Sequence, residues 1–283
     1  MKKLLSVVLR LAFVVGVNAQ PTPDETAAAS VRIALVSDTH TTRGTKNDEP
    51  LYRKRLDRVI AAVNAAKVDF VLIAGDLTQN GKPEELDDFK AQILGFQAPV
   101  YCAPGNHDVG NKRIPDKQPA PTLARLANYQ EKMGPSFYAQ KICGIRVLAV
   151  NSQLFGSALP QEETMWTFLE KELNEPAAAA APVVVFMHMP PFVQTPDEPG
   201  GDYWNIEPEP RRRFLTLLKH GGVHTVLTGH LHFGLISHCD GIQIVTTLPV
   251  SFGLPAGVAP QGWTLVTLPR TGEAQVEVET VKD

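Results

Sequence analysis

Val31-Arg32-Ile33-Ala34-Leu35-Val36-Ser37-Asp38-Thr39-His40 is a largely apolar run that ends in two side chains able to bind a metal ion. Its length suits a buried strand, and the following segment, Leu51 to Lys67, places Leu56, Val59, Ile60 and Val63 on one helical face. The pattern then repeats. Asp69 to Ala74 reads as a strand ending in Gly75-Asp76, and Pro83 with Glu84 and Glu85 opens a helix lined by Leu86, Phe89 and Ile93. Pro99 to Cys102 returns as a short strand before Gly105-Asn106-His107-Asp108. A β-α-β-α-β opening of this kind predicts parallel strands with ligands gathered at their carboxyl ends.

Further along, residues 110 to 121 hold three prolines and read as a loop, followed by a helix through about Met133 and strands near Phe137 and from Ile145 to Val150. Pro160 starts a helix with Trp166, Leu169 and Leu173 facing inward, and Ala177 to Ala181 reads as a linker. Val183 to Met187 is an apolar strand that delivers His188. Pro190 to Pro208, rich in Pro, Gly and Asp, is too long for a tight turn and reads as a substrate-facing loop. A helix from Glu209 to His220 and a strand from Val223 to Leu227 lead to Gly229-His230-Leu231-His232, and Phe233 to Val281 reads as strands joined by turns. There is no internal repeat.

The ligand-bearing runs extend from Asp38 to His232, so one core must hold them together, and we assign residues 31–283 to a single domain. Hydrophobic residues at 43% and charged residues at 20% are enough for that core and exclude a disordered or collagen-like chain. Met1 to Ala19 has a basic start, an apolar stretch and small residues at a cleavage point, which predicts a signal peptide and export; Arg10 interrupts the stretch, and a buried N-terminal helix is the alternative. Residues 20–30 read as a flexible leader, and no other stretch is apolar enough to span a membrane. Cleavage removes the three positive charges of Lys2, Lys3 and Arg10, taking the formal charge from −3 to −6, which disfavours non-specific nucleic-acid binding. Arg211-Arg212-Arg213 reads as a solvated helix face. Cys102, Cys143 and Cys239, an odd number with no CxxC pair, read as three buried thiols rather than a disulfide framework, which leaves nitrogen and oxygen to bind any metal.

Two metal ions about 3.5–4 Å apart need ligands that neutralise charge yet leave room for a bridging hydroxide and substrate oxygens. Asp, His and Asn meet that need. Asp76 lies in the middle of the set, and a carboxylate with two oxygens can be shared; Asp38, His40 and His232 then complete one ion, and Asn106, His188 and His230 the other. The single intervening residue in Asp38-x-His40 and His230-x-His232 predicts side chains on the same side of an extended backbone. Gly75, Gly105 and Gly229 precede ligands where the backbone must turn or approach closely. His107, beside Asn106, diverges from it and is free to protonate or stabilise a leaving group, with Asp108 adjacent to orient it or support its charge. His220, His224 and His238 lack such context.

Asp-x-His, Gly-Asp, Gly-Asn-His-Asp, His and Gly-His-x-His, in this order from about residue 31 to 240, resemble the calcineurin-like metallophosphoesterases with no ligand missing. The resemblance implies a four-layer α/β/β/α sandwich with a dimetal site at the strand carboxyl ends, and a phosphoester hydrolase in which metal-bridging hydroxide attacks phosphorus in line. Val150 to Gln153 and Gly222 to His232 more narrowly resemble the calcineurin-like phosphoesterase domain-containing protein 1 group, whose characterised member is a protein Ser/Thr phosphatase. The chain departs from purple acid phosphatases, which place a metal-binding Tyr where Gln79 stands here.

These readings lead to a phosphomonoesterase. Gly75-Asp76-Leu77-Thr78-Gln79-Asn80-Gly81 also resembles class III cyclic-nucleotide phosphodiesterases, so a phosphodiesterase is the alternative. A non-catalytic phospho-ligand binder is a third reading, weakened by the complete ligand set and by His107. In the loop after His188, Asp202, Tyr203, Trp204 and Asn205 are candidates for substrate contact; the competing reading has Tyr203 and Trp204 capping the core. The cofactors expected are two ions of Mn, Fe or Zn.

Overall fold

The computed structural model describes residues 30–113, 120–174, 181–269 and 272–282. The signal-peptide reading, the leader apart from Ser30, residues 177–180 of the linker and residues 114–119 of the proline-containing loop lie outside the described residues.

Strand β1 (Ser30–Val36), helix α1 (Glu49–Ala66), β2 (Phe70–Ala74), α2 (Pro83–Ile93) and β3 (Val100–Ala103) form the expected opening. β1, β2 and β3 pair in parallel. A helix absent from the sequence reading, α3 (Asn106–Val109), starts within the Gly-Asn-His-Asp run, too short to show helical periodicity. α4 (Leu123–Met133) follows, with Thr122 accepting the Arg125 N–H at 3.2 Å as its cap. The next elements are β4 (Tyr138–Ile142), β5 (Ile145–Val150), α5 (Pro160–Asn174), β6 (Val183–Met187), α6 (Pro208–His220) and β7 (Thr225–Thr228). The tail supplies β8 (Leu235–Cys239), β9 (Ile242–Thr246), β10 (Gln261–Pro269) and β11 (Gln275–Val281).

Two sheets result, in the orders β11-β10-β1-β2-β3 and β4-β5-β6-β7-β9-β8. Strand alternation explains why both are covered on two faces. Ile33, Leu35, Phe70 and Leu72 of one sheet pack with Val147, Val184 and Phe186 of the other, while the intervening Val71, Ile73, Val183 and Val185 belong to the core shared with helix residues such as Val59, Phe89, Trp166 and Phe214. The layers are therefore helix, sheet, sheet, helix. Full burial of a side chain such as Phe70 or Phe186 contributes about 1.5–3 kcal/mol. No described helix is long and apolar enough to cross a membrane.

The tail also reaches the carboxyl ends of the central strands. Between β9 and β10 the chain passes from one sheet to the other, and there Val250 N–H donates to Ser37, Ser251 N–H to Asp38 and Leu254 N–H to His232, all at 2.9–3.0 Å.

Two sequence expectations are corrected. Arg211 is buried, not on a solvated face: it pairs with Glu198 at 3.4 Å and donates to the Glu198 carbonyl, while Arg213 lies over the Trp166 ring at 4.1 Å. The three cysteines are free thiols, but Cys143 is exposed in the β4–β5 turn and the other two are half-buried. Cys143 sits at φ 49, where a hairpin residue points outward and finds no core.

Candidate metal centre

Asp38, His40, Asp76, His188, His230 and His232 are all nearly or fully buried at the carboxyl ends of β1, β2, β6 and β7. They fall into two sets whose ligand atoms lie within 4.8 Å of one another: Asp38, His40, Asp76 and His232, and Asp76, His188 and His230. Asp76 belongs to both, through one oxygen. Its Oδ2 lies 3.6 Å from His40 Nε2 and 3.3 Å from His188 Nε2, whereas Oδ1 accepts the His107 N–H at 2.8 Å. Asn106 Oδ1 lies 3.0 Å from His188 Nε2 and joins the second set.

The side chains do not converge by strand alternation, as the Asp-x-His and His-x-His spacing suggested. Asp38, His40, Asp76, His230 and His232 all have positive φ, between 46° and 74°, so each ligand sits on a left-handed turn just past its strand. Such a conformation costs a non-glycine residue roughly 1–2 kcal/mol. Backbone bonds hold it: Asp38 N–H donates to Gly75 and His40 N–H to Asp76, both at 3.0 Å. The strands aim the chain, and the turns aim the ligands.

Three backbone carbonyls set the imidazole tautomers. His188 Nδ1 lies 2.8 Å from the Ala74 oxygen, His232 Nδ1 2.6 Å from Phe252 and His230 Nε2 3.1 Å from Tyr203. A carbonyl only accepts, so these nitrogens carry the protons and the opposite nitrogen of each ring keeps its lone pair for the centre. No side-chain motif announces a carbonyl, and the sequence reading did not identify these three groups. It also missed Phe252, whose ring centroid lies 4.2 Å from that of His232 and 5.4 Å from that of His40.

The donors are arranged for cations. Asp38 Oδ1 and both His40 nitrogens are buried without a hydrogen-bond partner. His188 Nε2 lies 3.0 Å from Asn106 Oδ1 and 3.1 Å from His230 Nδ1, a cluster of acceptor atoms that a proton or a metal ion must hold together. The local field supplies that preference. Burial opposes a proton on His188, but the Asp76 carboxylate leads the groups that raise it to about 9. Burial drives His40 and His230 well below the ordinary histidine value, and Asp76 stays well below the carboxylate range because His188 and His107 outweigh its burial. Imidazole nitrogens, with the Nε2 proton that the Asp76 field favours on His188 giving way to a cation, join carboxylates and one amide oxygen in a donor set that fits a pair of metal ions.

His107 is half-buried at the start of α3, with its ring edge-on to His40 at 4.6 Å. Its Nδ1 lies 2.7 Å from the Gln79 carbonyl, which leaves Nε2 uncommitted. Asp108 has a different setting. Its oxygens accept from Gly105 N–H at 2.8 Å, Leu77 N–H at 3.1 Å, Thr78 N–H at 3.0 Å and the Thr78 hydroxyl at 2.9 Å, so the carboxylate is occupied in tying the α3 turn to the Gly-Asp loop rather than in holding the His107 ring. Burial and then the Asp76 charge raise it to about 6 against these donors, so it is ionised at neutral pH.

Of the loop candidates, Tyr203 and Trp204 reach the second set: their rings lie 4.8 Å and 5.7 Å from that of His230. Asp202 is exposed and accepts only the Tyr203 N–H among its described bonds. Asn205 is buried within the loop and donates to the Glu198 carboxylate, away from the centre. His224 and His238 lie elsewhere, exposed, against Gly241 and Glu273.

Gly105 shows how closely the loops approach. A Cβ there would overlap Asp76 N and Oδ1, so Gly105→Ala should lower stability by about 1–3 kcal/mol and reduce metal content together. Thermal denaturation with elemental analysis checks this; a variant with unchanged metal content would show that the approach is not needed for binding.

Residues 31–234 match the calcineurin-like phosphoesterase family. A serine/threonine-protein phosphatase CPPED1 from Danio rerio is 30% identical over 208 residues, covering 68% of this chain and 64% of that protein's own length. A probable glycerophosphodiester phosphodiesterase GpdQ from Arcobacter nitrofigilis is 27% identical over 210 residues, 71% of each chain. Among solved structures, a dimetal phosphatase from Danio rerio superposes with a TM-score of 0.57 at 16% identity, over 88% of this chain and 99% of that one, a likeness of fold.

Proposed function

The chain belongs to the calcineurin-like phosphoesterase family, and from that premise we propose that it is a metal-dependent phosphoester hydrolase that acts on phosphomonoesters. The observation that carries the reading is the pair of buried ligand sets sharing Asp76 Oδ2, with His107 Nε2 left open beside them. The monoester preference is supported by the phosphatase name of the zebrafish relative.

Asp38, His40, Asp76 and His232 would hold one ion, and Asp76, Asn106, His188 and His230 the other; with no thiolate in the set, Mn, Fe or Zn suits it. When bound, such ions neutralise charge at phosphorus and lower the pKa of a bound water. The chain's own residues do the rest. Ala74, Tyr203 and Phe252 keep three imidazoles in the tautomer that faces the centre. Gln79 holds His107 Nδ1, so an incoming proton resides on Nε2, from which it is passed to the departing alkoxide. Trp204 stands beside His230 of one ligand set and Phe252 beside His232 of the other.

The test compares His107→Ala with the wild type on para-nitrophenyl phosphate, on an alkyl phosphate and on a bis-aryl diester, with added Mn²⁺. Loss of the acid should cost about 10²–10⁴ in kcat on the alkyl ester, less on the aryl ester whose leaving group needs no proton, and nothing in metal content. Equal turnover by the variant on the alkyl ester would remove His107 from the reaction. Strong preference for the diester would replace the monoesterase by the phosphodiesterase reading, which the GpdQ relative also supports.

A further inference from the structure

The loop between β6 and α6 is fastened by two cations that lie outside it. Lys112, only 1% exposed, pairs with Glu207 at 2.8 Å and donates to the Asn205 carbonyl. Arg211, equally buried, pairs with Glu198 and donates to its carbonyl. Both acidic partners in turn organise the loop backbone. Glu198 accepts from the N–H groups of Val193, Gln194 and Thr195 at 2.7–3.2 Å, and Glu207 accepts from Gly201 N–H at 3.0 Å. Buried charges of this kind hold one geometry because neither partner can be released without leaving the other unpaired.

Tyr203, in the loop so fastened, touches two of the four donors of the second ligand set. Its hydroxyl accepts from Asn106 Nδ2 at 3.0 Å, which turns Asn106 Oδ1 toward His188; its carbonyl accepts from His230 Nε2 at 3.1 Å, which turns His230 Nδ1 toward the same point. A ring that merely covered the core would not need the hydroxyl contact to Asn106. The first set receives its tautomer control from Phe252 instead, on a different segment.

Resting on the reading of Asn106 and His230 as ligands, we propose that Tyr203 is a positioning residue that couples docking of the 190–208 loop to binding at the second ion set alone. The ion and the closed loop then stabilise each other, because coupling between two equilibria is reciprocal. Loosening the loop weakens one ion and spares the other.

Chelator-stripped protein titrated calorimetrically with Mn²⁺ and with Zn²⁺ tests this, alongside amide exchange of residues 193–206. Wild type should bind two ions and show slower exchange in the loop once they are bound. Tyr203→Phe, which keeps the ring and the backbone carbonyl, should weaken one ion by about 10-fold and leave the other unchanged. Lys112→Met should speed loop exchange and weaken the same ion. Two ions bound with wild-type affinity in Tyr203→Phe, or both weakened equally, would overturn the coupling while leaving the metal centre intact. A wild-type chain that binds no pair of ions would overturn the metal centre and the coupling with it. Tyr203→Phe removes a single oxygen, so its result stands even if Lys112→Met does not fold.

Discussion

Asp76→Asn is expected to remove both ions and lower phosphoester hydrolysis by about 10³-fold. The size of the effect follows from one atom, Oδ2, lying 3.6 Å from His40 Nε2 and 3.3 Å from His188 Nε2, so that it serves both sets. The other oxygen is already used by the His107 N–H at 2.8 Å. An amide cannot satisfy both sides: with its oxygen toward His107 it presents NH₂ to the ligand nitrogens, and turned over it sets donor against donor. The negative charge at the centre is lost in either orientation. Several kcal/mol of transition-state stabilisation depend on the ions, and about 4 kcal/mol corresponds to about three decades in rate. Elemental analysis beside a phosphatase assay, with circular dichroism to show that the fold persists, makes the measurement. Two ions retained at wild-type turnover would show that Asp76 is not shared.

Asp108→Ala should be the most destabilising change near the site, by about 3–5 kcal/mol. Three backbone N–H groups and the Thr78 hydroxyl converge on this fully buried carboxylate, and its loss leaves the three N–H groups without a partner and the hydroxyl with only the Gly81 N–H that it accepts. An unpaired buried donor costs about 1–3 kcal/mol, and partial solvation of the space vacated by the carboxylate reduces the sum. For a chain of this size, about 4 kcal/mol lowers Tm by roughly 8–16 °C. Thermal scans run with chelator in both samples separate this effect from metal loss. A drop of the same size seen only in the metal-loaded protein would instead make Asp108 a support of the ions.

The position of Asp108 in the sequence suggested a partner for His107, and its neighbours in space show why adjacency misleads. In α3 successive side chains diverge, and the carboxylate finds the Gly-Asp loop of β2 instead. Arg211 shows the same limit: its place in a run of three arginines reads as surface, yet the loop that folds over it brings Glu198 to its side chain. Gln79 gives the converse. Its side chain marks a departure from a tyrosine seen in purple acid phosphatases, while its carbonyl, which any residue would supply, holds His107.

The parallel opening, the apolar runs that bury the central strands on two faces, and the side chains with the chemistry to bind a metal were legible in the chain because they depend on local pattern and on side-chain chemistry. The convergence was not. Positive φ at five ligands, a single shared oxygen on Asp76, three tautomer-setting carbonyls and the placement of Tyr203 over Asn106 and His230 arise from segments far apart in sequence. Backbone donors and acceptors are the same in every residue, so no residue pattern encodes which carbonyl meets which imidazole; packing of the two sheets and the loop from 190 to 208 decides it. Side-chain chemistry settles which atoms can bind metal, and contacts between distant segments aim them.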